Sequence, residues 1–278
     1  MKKQLMMITL IAAVLAMTAA PVFAGAWTRA KGSSYNRVSI NYYFSDENYI
    51  DDSDRLAYPE NGEFEDYYAN YYLEYGFTDR LTAIGSFNYK WLKKQDDTIK
   101  METWGVGDAD VAVKYRLFDG FGVFSVQGLY KIAAFYDEDD RLPLGNGQSD
   151  FELRLMYGKS LYPFIPGYCN FEAGYRWRNS DPSDEFRFLG EVGIDFTENL
   201  YSRVKLDAIF AVDDNDGTIS PAGNPTKTDA YDLVKLDIAG GWKLSDQWGF
   251  ELAYTPSIYG QWTAAGATYT AAVVFETQ

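Results

Sequence analysis

Charged side chains in this chain recur at every second position, and the arginines among them mark where chemistry could occur. Arg154, Arg176, Arg178 and Arg187 fall in three successive segments, and Lys114, Arg116, Arg203 and Lys205 in flanking ones. Carboxylates follow the same spacing: Asp66, Glu74, Asp108, Asp110, Glu152, Glu172 and Glu191, then Asp195, Asp207, Asp237 and Glu251. Side chains two apart on an extended chain share a face, so these groups are expected to line one common surface. Such rings or walls of charge set selectivity in pores. Paired with one another, the same charges would instead fill a narrow interior. The sequence leaves both readings open.

Enzymatic chemistry has little to work with. The chain contains no histidine and one cysteine, Cys169. A serine without a base to take its proton is a poor nucleophile, which rules out the imidazole-dependent mechanisms of membrane-embedded lipases, acyltransferases and proteases. Imidazole and thiolate metal sites are equally out of reach. Three acidic clusters stand out: Asp46 to Asp54, Asp137 to Asp140 and Asp213 to Asp216. The run Asp213-Asp214-Asn215-Asp216-Gly217 has the start of a calcium loop but lacks the distal glutamate. Solvated loop tips, or contacts to lipopolysaccharide phosphates through bridging cations, account for them better. No catalytic residue, metal or cofactor is expected. With a net charge of −15, or −17 once Lys2 and Lys3 are removed, the chain does not bind nucleic acid through its overall field.

The elements that must hold these charges read as strands. Val38, Ile40, Tyr42 and Phe44 alternate with Arg37, Ser39 and Asn41, and Tyr67, Ala69, Tyr71, Leu73, Tyr75 and Phe77 with Asp66, Asn70 and Glu74. About twelve such segments are expected: 35–44, 66–77, 81–92, 106–118, 122–136, 149–161, 168–178, 186–197, 201–212, 230–244, 248–255 and 266–275. Tight turns at 78–80, 119–121, 198–200 and 245–247 alternate with long acidic connections. The prolines, Pro256 included, are expected in connections or at strand ends, because proline cannot donate to a ladder. Of the charges, only Lys159 and Asp232 fall on the apolar parity, both near strand ends.

Apolar faces this regular, with 17% aromatic residues and a slightly polar mean hydropathy, fit strands between lipid and a polar interior. A soluble sandwich would hide that face and would not need Trp242 and Trp248 beside one tight turn. The expected fold is therefore all-β: a transmembrane, antiparallel, up-and-down barrel in a bacterial outer membrane. Residues 1–24 read as a signal peptide, with Lys2 and Lys3, an apolar run from Leu5 to Ala16, and Val22-Phe23-Ala24 before the cut. Residues 25–34 form a short segment, periplasmic or tucked into the lumen, and residues 35–278 the barrel. An even strand number puts both termini in the periplasm.

The segments Gly25-Ala26-Trp27, Lys31-Gly32, Tyr42-Tyr43 and Asn70-Tyr71-Tyr72-Leu73-Glu74-Tyr75-Gly76-Phe77-Thr78-Asp79-Arg80-Leu81-Thr82 resemble bacterial outer-membrane transporter barrels grouped with the MetA-pathway phenol-degradation proteins. The last strand, Ala267 to Phe275, resembles the signal read by barrel-assembly machinery, although three residues follow its aromatic end. The resemblance implies passive uptake of small, aromatic or apolar solutes and supplies no functional residues. A non-transporting structural or surface-contact barrel is the alternative.

Overall fold

The structure, a computed structural model, describes residues 25–179, 182–213 and 230–277. The proposed signal peptide and most of the Asp213–Gly217 run lie outside the described residues. Thirteen strands form one sheet: β1 Ser34–Tyr49, β2 Arg55–Ala57, β3 Glu63–Thr78, β4 Leu81–Gln95, β5 Lys100–Asp119, β6 Val123–Ile132, β7 Asp150–Ser160, β8 Gly167–Arg178, β9 Glu185–Asp195, β10 Leu200–Ala211, β11 Asp232–Lys243, β12 Trp248–Gln261 and β13 Thr263–Thr277. Every neighbour pairs antiparallel, and β13 returns to β1 from Ser34 opposite Thr277 to Tyr49 opposite Thr263. Twelve strands thus close a barrel, and β2 adds a short edge to β1 at the end carrying the long loops. Closure leaves no unpaired sheet edge facing lipid, the condition for strands to cross a bilayer.

The barrel is inverted relative to a soluble one. Lys114, Glu74 and Glu152 are no more than 1% exposed inside, while Ile40 is 72% and Leu155 62% exposed outside. Val38, Val111, Leu153, Phe171, Phe188, Leu252 and Val273 continue the outer apolar band. Aromatic groups flank it at both ends. Tyr42, Tyr67 and Trp91 pack ring to ring in succession near the loop end, at 4.7 and 5.9 Å between ring centroids. Phe121, Phe124 and Tyr157 do so at the tight-turn end, at 5.6 and 4.7 Å, with Trp248 against Phe275 at 4.6 Å. Burying such a band in hydrocarbon is favourable, and exposing it to water is not.

Several boundaries differ from the sequence expectation, nearly all at the loop end. The connection expected between Leu92 and Val106 shrinks to residues 96–99, and β12 runs on to Gln261 and reverses over Trp262 alone, which takes a positive φ of 56°. Here the outward positions turn polar, as at Glu63, Glu65 and Lys93, while Phe64 and Leu92 turn inward into an apolar cluster, so the apolar-outward alternation that marks a strand in lipid disappears. Conversely, β6 stops at Ile132 rather than Tyr136. Pro256 is inside β12, not in a connection. It lies opposite Ala267 of β13, but the ladder with β11 has no pair between Ile238–Tyr254 and Lys235–Ser257, and its register shifts just beyond, before Val234–Tyr259. The missing amide hydrogen is accommodated by interrupting one of the two ladders.

Candidate functional site

The polar alternation of the strands from β1 to β12 places the charged residues in the barrel interior, where they form three networks. The first joins β5 to β9. Glu152 accepts from Arg154 at 2.6 Å and Arg176 at 2.8 Å, Glu172 pairs with Arg154 at 2.5 Å, and Glu185 pairs with Arg187 at 2.6 Å and Arg178 at 3.2 Å. Lys131 bridges Asp150 at 2.6 Å and Asp108 at 3.8 Å. The four arginines do share a wall, but each faces a carboxylate.

The second network centres on Arg203, which meets Glu251 at 2.9 Å, Glu191 at 3.4 Å and Asp237 at 3.5 Å. Arg37 reaches the same Glu251 oxygen at 2.9 Å. Asp66 pairs with Lys90 at 3.0 Å and Asp207 with Lys235 at 3.6 Å. Lys205 lines a cavity without an ion pair to any described residue, and one Asp110 oxygen is buried without a partner among them. Arg116, with Asp119 at 3.4 Å, and Asp195, with Lys243 at 3.9 Å, belong to the tight-turn rim.

The third network involves the segment before β1, which turns into the barrel from the tight-turn end. Arg29 meets Glu74 at 2.8 Å and Glu276 at 3.0 Å, and Lys114 meets Glu74 at 3.3 Å. Lys114 also donates to the Gly25 carbonyl at 2.8 Å, Ala26 N donates to Asn170 Oδ1 at 3.0 Å, and Ser125 Oγ donates to the Ala26 carbonyl. Ala26 is fully buried. Gly25 has φ +116°, and a Cβ there would strike the Asn170 side chain. Trp27 packs edge-on against Tyr168 at 5.8 Å, in space left by Gly158, whose Cβ would overlap the indole. Thr28 and Lys31 anchor the segment to the β3–β4 turn at Asp79.

The loop end is closed differently. Leu142 and Leu144 of the 133–149 connection fold inward and bury against Tyr58, Phe64 and Leu92, with Tyr43, Met101 and Tyr136 around them. Tyr136 Oη donates to Asp108 at 2.5 Å and accepts from Gly147 N at 2.8 Å, tying the loop to the wall. Burial pushes the Tyr58 phenol up to about 12, so it stays protonated and shares a hydrogen bond with Ser45 at 3.1 Å. The acidic run Asp137–Asp140 stays exposed on the outer side of this loop.

Between the two closures are three adjoining cavities. One of about 510 Å³ is walled by Arg37, Asn41, Tyr43, Phe64, Asp66, Tyr68 and Lys90. A second, about 280 Å³, runs from Lys90 and Leu233 to Lys131, Asp150 and Arg187 beneath Leu144. A third, about 300 Å³, runs from Arg37, Tyr68 and Lys235 to Tyr35, Tyr72, Arg203 and Lys205. The first shares Lys90 and Leu233 with the second and Arg37, Tyr68 and Lys235 with the third. The floor of the third is Tyr35, with the Arg29 guanidinium 4.7 Å from the ring centre.

Parity alone would have identified Arg37, Lys90, Lys131, Asp150, Glu185 and Lys235 as further interior charges, because each follows the alternation of its strand. Arg29 carries no such signal, since its segment has no periodicity.

No protein-family model and no curated protein matches the chain. Solved structures do. The COG4313 outer membrane channel from Pseudomonas putida F1 aligns at TM-score 0.72 and 15% identity, over 93% of this chain and 100% of that one. The fold is that of outer-membrane channel barrels. The NanC porin aligns at 0.58 and 11% identity, over 86% and 98% of the two chains. The KdgM porin, solved in complex with disordered oligogalacturonate, aligns at 0.51 and 7% identity, over 87% and 99%. At these identities the likeness is one of architecture, and the apolar exterior of this barrel suits a lipid bilayer.

Proposed function

We propose that the protein is a passive outer-membrane channel for small molecules, aromatic or apolar compounds among them, and that it is not an enzyme. The tight turns and both termini face the periplasm, and the long loops face outside. The reading rests chiefly on one observation: polar cavities lie inside the barrel between two segments, one at each end, that are not part of the wall. Residues 25–31 block one end and the 133–149 loop the other. Neither closure is a strand, so either can withdraw without breaking the sheet. Arg37, Lys90, Arg203, Lys205 and Asp66 would line the route, while the arginine–glutamate network on β7 to β9 stiffens its side. Lipopolysaccharide would meet the acidic loops through divalent cations, and barrel-assembly machinery would read the last strand.

Planar-bilayer recording on the folded protein, alongside a variant lacking residues 25–31, tests this. Small, flickering conductance that becomes larger and steadier in the deletion is the expected result. Silence from both proteins, with no swelling of solute-loaded liposomes, would favour the other reading, in which paired charges make the barrel a structural or surface-contact protein.

A further inference from the structure

Lys159 is the one lysine pointing outward at lipid-facing parity near the tight-turn end of β7. It is exposed and makes no ion pair or hydrogen bond with any described residue. A long cation is tolerated there only where its ammonium reaches the headgroup level. Directly beyond it, toward the middle of the bilayer, the outer wall is indented. A groove of about 610 Å³ runs across β5 to β10, with Leu155, Phe171 and Phe188 among its walls. Ala173, Gly190 and Ala208 form its floor. Across the ladder the small residues alternate with the bulky ones: Ala173 lies opposite both Leu155 and Phe188, Phe188 opposite Ala208, and Gly190 opposite Phe171. Small residues on three adjacent strands sink the surface where the rest of the band is bulky. Tyr157, two residues along β7 from Lys159, opens the groove about 7 Å from that lysine.

We propose that this is a binding site for an anionic phospholipid of the leaflet at the tight-turn end, with one acyl chain in the groove and the phosphate on Lys159. Charge and shape agree on the occupant. The groove is apolar throughout its middle and adjoins an unpaired cation only at the end where headgroups lie, as a single-chain contact to an anionic lipid requires. The inference rests on the barrel's place in a bilayer and on its orientation, but not on conduction.

Native mass spectrometry of the folded protein, in detergent with equal amounts of phosphatidylglycerol and phosphatidylcholine, tests it. One phosphatidylglycerol should be retained in preference. Lys159→Gln should lower that preference about fivefold, the effect of one lysine at an anionic lipid surface. Gly190→Leu should fill the groove and reduce retention of both lipids. A Cβ at Gly190 meets only the Phe171 ring, at 3.8 Å, so the barrel wall accommodates the change. Gel mobility without heating reports that each variant folds, and conductance unchanged from the wild type separates this idea from the channel reading. Equal retention by wild type and both variants would mean annular lipid only and would overturn the proposal. So would a dimer of the wild type that Gly190→Leu abolishes, since the groove would then seat a second copy.

Discussion

Glu74 shows how much one interior side chain can carry. It lies on β3 at 1% exposure and holds Arg29 from the inserted segment and Lys114 from β5, while Tyr72 Oη donates to it at 2.7 Å. Removing one partner from a buried ion cluster leaves the other charges uncompensated, at about 3–5 kcal/mol. Glu74→Gln is therefore expected to lower stability by about 3 kcal/mol in urea unfolding and to release residues 25–31, with conductance rising toward that of the deletion. Glu74→Gln with unchanged conductance would show that Arg29 does not hold the segment. Ile40 provides the opposite case. It is 72% exposed in the middle of the outer band, and an arginine at the bilayer midplane costs about 2–4 kcal/mol. Ile40→Arg should lose about that much when the barrel is unfolded from lipid vesicles, whereas a soluble protein would tolerate it.

Among the elements, the two closures are built from different forces and should respond to different changes. The tight-turn end is closed by ion pairs and hydrogen bonds, the loop end by apolar contacts. Full burial of a leucine contributes about 1.5–3 kcal/mol, enough to decide where a loop rests. Leu144→Asp is expected to free the 133–149 connection. Limited proteolysis should then cut near Asp139, and cleavage as slow as in the wild type would count against the loop's being held by that contact. The wall should be indifferent to this change, since β6 and β7 pair over nine residue pairs from Val123–Gly158 to Lys131–Asp150, below the loop. The strands themselves were legible in sequence wherever lipid faces one side. Their extensions at the loop end were not, because the outer face there turns polar while side chains such as Phe64 and Leu92 turn inward, and neither was the passage of β12 through Pro256.

On the scale of the whole molecule, charge is partitioned. The arginine wall expected from sequence would favour anionic solutes if its guanidinium groups were free. Glu152, Glu172 and Glu185 take them up, and the interior becomes a mosaic of pairs. The excess negative charge of the chain then falls on loops and rims, such as Asp137–Asp140, and these govern the approach of ions. A weak preference for potassium over chloride is expected in reversal-potential measurements at 0.1 M salt. It should fade at 1 M, where the screening length drops to about 3 Å. A chloride preference would mean that Arg37, Lys90 and Lys205 act as unpaired charges along the route.

The sequence by itself determined the barrel, the bilayer around it and the set of charges turned inward, because a period of two between lipid and water is a local property of each strand. Only the tertiary structure decided which charges meet, that Gly25 to Lys31 enters the interior, and that Leu142 and Leu144 close the other end. Those contacts join residues far apart in the chain, as Arg29 and Glu276 are. No local pattern records them, since they exist only once the sheet has curved round to bring its first and last strands together.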